Sequence, residues 1–587
     1  MGDHLLQDAA AVLQPGFVND GPGRIPDWVR RALAEDGLGG VAYYGRNIAA
    51  TPERTGELSA ALRAVNPRVL IAVDEEGGDV TRVDVATGSA FPGNYALGHV
   101  DDPELTETVA REIGLVLRRS GINLNYAPDC DVNTNPDNPV IGTRSFGADP
   151  EVAARHSAAY VRGLQAVGVA GCAKHFPGHG DTAVDSHHGL PLVQHSDEEW
   201  SKHLAPFRAA IAAGVKSVMT AHILAPRYDA EFPSTMSRKV LIDLLRGELG
   251  FTGLVVTDGI EMGAIADTFG VAEGTVLALA AGVDAVCVGG GLRDEADYLM
   301  LRDALVDAVR VGRLAAERLH DAATRVRELG AWAAAQRARS EEGTHAAEGS
   351  GGGSGSISVS APGSGSGLAP GSVSGPAPAP ASVSGSAPDS PSESPSGPAP
   401  AVPTGTEPTG TEPIGLAAAR RAITVSGAPL APLTDPAAIL EFAPVANNAA
   451  GAAVPWGLSP VLSELPAGTT TVRFVQPGAA TGFAGDGPVG ERSTQTAVPY
   501  TGAAVSEAVA AAAGRPLVLV VRDAHRHAWM ASGLTAATAV RPDAIVVEMG
   551  IAHGLGEKCA GATLVASHGA ALVSGLAVAR VLVEGTA

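Results

Sequence analysis

Short runs of unbroken apolar residues alternate, through the N-terminal part of the chain, with longer stretches whose apolar positions recur every three or four residues. The runs at 41–44, 69–74, 124–128, 171–175, 217–222, 254–258 and 285–288 are rich in Val, Ala and other small or β-branched residues and predict strands. Segments 104–120, 151–167, 198–213 and 238–249 carry the helical period between them. Strands that are apolar on both faces belong to a parallel sheet covered on its two sides, and the intervening helices provide that cover. About eight such units in ~330 residues predict an α/β fold of the (β/α)8 TIM-like barrel type in preference to an open sheet. Several strand runs finish in polar or charged residues, namely Asp74, Lys174 with His175, His222 and Asp258. Barrels carry their active sites at the C-terminal ends of the strands, so this convergence predicts a catalytic rim.

The alternation stops near residue 341. From there to 413 the chain is Gly, Ser, Pro and Ala with hardly any large apolar side chain. Such a stretch buries too little surface to offset the entropy of ordering and reads as a disordered linker. Alternation resumes afterwards, where 471–475, 516–521 and 544–548 predict strands and 503–513 predicts a helix. That pattern fits a smaller, doubly wound α/β domain. The chain therefore divides into a catalytic barrel over 1–340, a low-complexity linker over 341–413 and a second α/β domain over 414–587.

Composition narrows the chemistry. Apolar residues make up 45% of the chain but aromatics only 4%, so Ala, Gly and Val must fill the core, as in tightly packed α/β layers. A formal net charge of −22 argues against nucleic acid or an anionic membrane as partner, since both call for a basic face. Cys130, Cys172, Cys287 and Cys559 are far apart with no CxxC pair, which indicates buried thiols and no zinc site or disulfide framework. No basic segment followed by an apolar one opens the chain, and no uncharged apolar run reaches the roughly 18 residues that span a bilayer. A cytoplasmic location is the expectation, while the oligomeric state is left open.

The densest polar segment is Lys174-His175-Phe176-Pro177-Gly178-His179-Gly180-Asp181-Thr182, continued by Asp185-Ser186-His187-His188. It follows a strand and holds three Gly or Pro residues, so it must be a shaped loop. Lys174 beside His175 at a strand end can donate hydrogen bonds to ligand hydroxyls. His187 lies two residues after Asp185, near enough for the carboxylate to orient the ring. An imidazole with an ordinary pKa of about 6.5 exchanges protons near neutrality.

These segments resemble family 3 glycoside hydrolases, and specifically the bacterial β-N-acetylglucosaminidase (β-hexosaminidase) branch. The matching stretches, in order, are Gly45-Arg46-Asn47, Asp74-Glu75-Glu76-Gly77-Gly78, Asn133-Thr134-Asn135-Pro136, Arg144-Ser145-Phe146-Gly147, the loop above, Met219-Thr220-Ala221-His222 and Thr257-Asp258. The resemblance implies that Asp258 attacks the anomeric carbon, that His187 is the general acid/base and that Asp185 holds its ring. It implies further that Asp74, Arg82, Arg144, Lys174 and His175 bind the hydroxyls and acetamido group of the terminal sugar. The reaction implied is double displacement with retention through a covalent glycosyl–Asp258 intermediate, with no metal and no organic cofactor. The implied substrate is a non-reducing terminal β-linked N-acetylglucosamine on muropeptide or chitin-derived oligosaccharides. The Gln and Arg usual around the Glu-Gly-Gly core are here Glu75 and Asp79, a departure that bears on rim contacts, because Asp74 and Arg82 keep their eight-residue spacing.

Individual residues admit other readings. Glu261 is the competing carboxylate and reads as part of the wall; His179, between two glycines, reads as a histidine that fixes the loop; His188 reads as exposed. Glu75 and Glu76 read as stabilising a tight turn, His222 divides between core and pocket, and His553 and His568 read as structural. Three rival functions stand beside the main one. A β-glucosidase of the same family would draw its acid/base from a Glu of the second domain. A glycoside phosphorylase would exploit a neutral imidazole, which repels incoming phosphate less than an ionised carboxylate does. A non-catalytic sugar-binding protein would lack the nucleophile or the dyad.

Overall fold

The computed structural model describes residues 2–292, 294–350, 412–445, 454–476, 497–559 and 561–586. In its first part β2 (Gly40–Tyr43), β3 (Leu70–Val73), β4 (Leu124–Asn125), β5 (Ala170–Phe176), β6 (Ser217–Thr220) and β7 (Leu254–Thr257) form one parallel sheet in sequence order. β1 (Leu13–Pro15) pairs in parallel with β8 (Val286–Val288), and Ala285, just before β8, bridges Val256 of β7. Every residue of these strands is buried, which is why they read as unbroken apolar runs. Helices Pro103–Arg119, Pro150–Ala166 and Asp197–Ala212 cover the outside. Each begins on a side-chain cap, from Asp102, Asp149 and Ser196 respectively, and the first two carry Pro in their first turn. The result is a TIM-like α/β fold.

Two strands depart from expectation. β4 stops at Asn125 where 124–128 was expected, because Pro128 has no N–H for a regular ladder. The chain beyond still follows β5 irregularly: Lys174 N donates to the Pro128 carbonyl and Cys130 N to the Lys174 carbonyl. Lys174 and His175 consequently lie within β5, which runs on to Phe176. β1 was not expected at all, since three residues after an Ala-rich helix give no period to recognise.

The second part is a seven-stranded sheet of β9 (Thr424–Gly427), β10 (Ala438–Ala443), β11 (Thr470–Val475), β12 (Ala497–Pro499), β13 (Leu517–Val521), β14 (Ile545–Glu548) and β15 (Thr563–Ala566). Its order is β12-β11-β10-β13-β14-β15-β9, parallel throughout except for β9. Ile439, Val518, Val520 and Val547 pack on one side against helix Leu572–Glu584, and Leu440, Phe442, Leu519 and Val521 on the other against helix Ala528–Val540. Helices on both faces make this a second α/β domain, and strand order reverses between β10 and β13.

The two parts pack as one compact unit. Arg522 Nη2 lies 2.7 Å from Asp79 Oδ2, His525 Nε2 donates to the Pro136 carbonyl at 2.9 Å, and the rings of His99 and His568 stack at 3.7 Å. The linker expected over 341–413 lies outside the described residues from 351 to 411, and helix Ala316–Ser350 runs on past its expected start. All four cysteines are free and buried. Among the described residues no single helix is long and apolar enough to cross a bilayer.

Candidate active site

At the C-terminal ends of the barrel strands opens a cavity of about 420 Å³. Asp74, Arg82, Arg144, Lys174, His175, His187 and Asp258 all line it, and every lining residue belongs to the first 291. Asp185 stands behind His187 and borders a neighbouring cavity instead.

Asp258 follows β7 directly and is held at its base by two hydrogen bonds. Its N–H donates to the Thr220 carbonyl at 3.3 Å, and its Oδ1 accepts from Gly259 N at 2.8 Å. Burial works against the charge, but the imidazoles of His175, His222 and His187 and the Gly259 N–H outweigh it and hold the carboxyl well below the usual range. His175 is itself neutral at pH 7, so its share is smaller than a full cation would supply. An ionised carboxylate at a cavity wall is what nucleophilic attack requires.

The His187–Asp185 pair is built within one turn of loop. Asp185 Oδ1 accepts from His187 Nδ1 at 2.7 Å and from His187 N at 2.9 Å, so backbone and ring are fixed by the same oxygen. Nδ1 is thereby the protonated nitrogen toward Asp185, leaving Nε2 as the nitrogen able to exchange a proton. Burial disfavours the imidazolium, yet the hydrogen bond and charge of Asp185, with Asp258 behind, raise the His187 pKa. The loop is anchored twice more. Ser186 and His187 carbonyls accept from Ala264 N and Gly263 N, the first turn of helix Gly263–Phe269 a few residues beyond Asp258. His179 ties the near side, with Nδ1 to Thr182 Oγ1 at 2.8 Å and Nε2 to Ser186 Oγ at 3.0 Å. A Cβ on Gly180 would run into the Val132 carbonyl, so glycine there lets the loop lie against the segment after β4.

On the opposite wall four charges lock each other. Lys174 Nζ sits 2.7 Å from Asp74 Oδ1 and 2.6 Å from Glu76 Oε1. Arg144 grips Glu76 with two parallel bonds, Nε to Oε2 at 3.0 Å and Nη2 to Oε1 at 2.8 Å. Burial opposes the Glu76 charge, but Arg144 and Lys174 pull its pKa down to about 2. Such pairing is what lets two cations stay buried and point at a ligand. Glu76 is a residue that the sequence reading assigned to a turn; the structure makes it the hub of the cationic wall.

His175 has a support of its own. Its Nδ1 lies 2.7 Å from Asp131 Oδ2, and Asp131 also accepts from His179 N. Burial, with Arg144 beside it, brings the His175 pKa down to about 4, so a neutral ring presents Nε2 to the cavity, 4.0 Å from Asp258 Oδ2. Asp129 is fully buried next to Asp131; burial and the Asp131 charge hold its carboxyl well above the usual range, and Asp131 is pushed up to about 6. Asp129, Asp131 and His175 have the spacing of metal ligands. The Arg144 guanidinium 3.8 Å from Asp129 Oδ2 would repel a dication, so a shared proton suits the trio better than a metal. Asp131 was passed over in the sequence, although Asp129-Cys130-Asp131 stands out as charge inside an apolar stretch.

Several single residues find their places. His222 donates from Nε2 to the Gly259 carbonyl at 3.0 Å and meets Thr235 Oγ1 with Nδ1 at 2.7 Å, so it is a support beneath the Asp258 loop. Glu261 lines the cavity and accepts from Gly289 N at 2.8 Å. Asp79 joins the second domain through Arg522 and accepts from Thr143 Oγ1 at 2.7 Å. Glu75 Oε2 accepts from Thr81 Oγ1, Arg82 N and Val83 N, which shapes the segment that carries Arg82.

Glu75 yields a stability prediction. Burial, aided by the Asp84 charge, pushes its pKa up to about 8 from an ordinary value near 4.5, and its Oε1 has no hydrogen-bond partner among the described residues. The folded chain therefore holds this proton more tightly than the unfolded chain. That contribution is complete below about pH 4.5 and is lost as pH rises through about 8. Glu75→Gln should flatten part of the loss of stability between pH 5 and 9 in urea unfolding, with Glu548, also pushed up to about 8, responsible for a remaining slope. An unchanged pH slope in the variant would show that Glu75 is ionised in the fold.

A TIM-like fold with the half-buried Asp258 carboxylate and the His187 imidazole on one cavity is compatible with a glycoside hydrolase, and residues 9–329 match the Glycosyl hydrolase family 3 N terminal domain. The chain belongs to that family. It is 35% identical over 329 residues to Beta-hexosaminidase A of Pseudoalteromonas piscicida, which covers 52% of this chain and 55% of that protein. It is 40% identical over 297 residues to the Beta-hexosaminidase of Stenotrophomonas maltophilia, covering 49% of this chain and 86% of that one. A family 3 beta-N-acetylglucosaminidase from Paenibacillus sp. superposes with a TM-score of 0.76 and 30% identity, over 99% of this chain and 97% of the other. The chain spans about half the length of the first of these relatives and nearly all of the last.

Proposed function

We propose that the protein is a retaining, exo-acting β-N-acetylglucosaminidase, with Asp258 as covalent nucleophile, His187 as general acid/base and Asp185 as its orienting partner. The observation that carries this reading is the 2.7 Å His187–Asp185 pair, whose imidazole lines the same cavity as an ionised Asp258. One side chain supplies the proton and the other the carbon–oxygen bond, so both half-reactions are provided for. Lys174, Arg144, Asp74, Arg82 and neutral His175 hold the hydroxyls and acetamido group of the terminal sugar. In the full reading the strands make a complete (β/α)8 barrel, the segment 341–413 is a spacer, and the address is cytoplasmic with muropeptide or chitin-derived fragments as substrates. The names of the relatives above support the sugar. Against a β-glucosidase with its acid in the second domain, no described residue of that domain lines the cavity.

The test compares nitrophenyl β-glycosides with and without the 2-acetamido group, following the anomer released by NMR. Preference for the acetamido sugar by roughly a hundredfold or more, with β-anomer formed first, is the expected result. Equal turnover of the glucoside, or first release of the α-anomer, would end this reading.

A further inference from the structure

A second cavity of about 250 Å³ adjoins the first and shares Val80, Ile141 and Arg144 with it. Both parts of the molecule contribute to it, and its position follows from topology. The strand order of the second domain reverses between β10 and β13, and open α/β sheets bind ligands in the crevice beyond the C-terminal ends of the strands at such a switch. Pro444 and Val445 follow β10 and Arg522, Asp523, Arg526 and His527 follow β13, and all six line this cavity. The switch-point crevice therefore opens onto the barrel rim, on the side of Asp185 and His188.

The charges there are not evenly spent. Arg522 is paired with Asp79 at 2.7 Å, Arg144 with Glu76, and Asp185 with His187. Asp523 Oδ1 accepts from Ile551 N at 2.8 Å, and burial keeps His527 neutral near pH 7. Arg526 is half-exposed and has no ion pair or side-chain hydrogen bond among the described residues, while its neighbour His525 pins this turn to the barrel through the Pro136 carbonyl at 2.9 Å. A guanidinium held on a fixed turn, beside a cavity that already holds one paired arginine, suits an oxyanion with two oxygens to offer.

We propose that this crevice binds an anionic group on the leaving sugar, with Arg526 as its main contact and Arg522 beside it. The inference rests on the proposed role of His187: a leaving group protonated by His187 departs on the side where Asp185 borders the crevice. Terminal sugar and leaving sugar would then be read by different domains. Selectivity for a carboxylate-bearing leaving sugar resides in the second domain.

The experiment uses the full-length protein, with Arg526→Ala and Arg526→Lys, on three substrates. These are nitrophenyl β-N-acetylglucosaminide, neutral diacetylchitobiose, and N-acetylglucosamine β-linked to N-acetylmuramic acid, whose leaving sugar carries a carboxylate. In Arg526→Ala the acidic disaccharide should lose roughly tenfold or more in kcat/KM, chiefly through KM, the scale of one charge-assisted hydrogen bond. The two neutral substrates should stay within about twofold, and Arg526→Lys should recover part of the loss. Equal losses on all three, or none on the acidic one, would overturn the proposal. Inorganic phosphate should raise KM for the acidic disaccharide alone. If it instead yields N-acetylglucosamine 1-phosphate, and Arg526→Ala abolishes that product, the crevice serves an acceptor phosphate and the leaving-group assignment falls. A wild-type protein inactive on the nitrophenyl sugar would refute the proposed function itself, whereas intact aryl hydrolysis without an Arg526-dependent preference refutes only the crevice.

Discussion

Asp258→Ala should give a folded protein whose turnover is lower by a factor on the order of 10⁴ or more, because the anomeric carbon loses its in-line nucleophile and no other ionised carboxylate on the cavity replaces it. The carboxylates nearby are otherwise engaged: Asp74 and Glu76 are paired with Lys174, and burial raises the pKa of Glu261. Folding should survive, since the side chain accepts a local hydrogen bond from Gly259 and is bound to no distant element by a close ion pair. Circular dichroism checks the fold and steady-state kinetics the rate. Azide, small enough to enter the vacated space, should restore activity and yield the glycosyl azide of inverted configuration. Near-normal turnover in a sample free of wild-type enzyme would sink the covalent route.

The second large effect concerns the proton. His187→Ala should cost disaccharides roughly 10²- to 10⁴-fold in the glycosylation step, the range of general acid catalysis, because a sugar alkoxide does not depart unprotonated. Nitrophenyl sugars, whose leaving group departs as an anion, should lose far less in that step. The pH profile separates ring from partner. His187 is raised above its ordinary value, so its acidic form, and with it kcat/KM, should persist above pH 6.5 and be lost as pH climbs through the raised pKa. Asp185→Asn removes the group that raises it while burial remains, so the alkaline limb should move to lower pH. Equal losses on both substrate types, with an unmoved alkaline limb, would mean that His187 only positions the sugar.

Much of this site was legible in the sequence because barrel chemistry lies at strand ends, where a polar residue breaks an apolar run. Asp74, Lys174, His175 and Asp258 declare themselves in that way, and the structure gathers all four on one cavity. The Asp185–His187 spacing likewise carried its own geometry. What escaped were groups that act through others. Glu76 sits beside a second Glu before two glycines and Asp131 between Cys130 and Val132, and only the folded chain reveals that Lys174, Arg144 and His175 converge on them. β10 was overlooked for a related reason. Glu441 interrupts its apolar run, and the partners that make burial tolerable, Arg473 and the backbone of Leu458 and Ser459, come from elsewhere in the chain. Asp79 read as a departure at the rim because its partner, Arg522, is more than four hundred residues away.

The anchoring of the Ser186–His187 carbonyls on the first turn of helix Gly263–Phe269 has a mechanical consequence. His187 and Asp258 come from loops after different strands, β5 and β7, yet they share one mounting. A thermal displacement of the helix carries both, so their separation is buffered against motions that would stretch two independent supports. Precision between the two side chains is then an attribute of a single joint, and it does not require the whole barrel to be stiff.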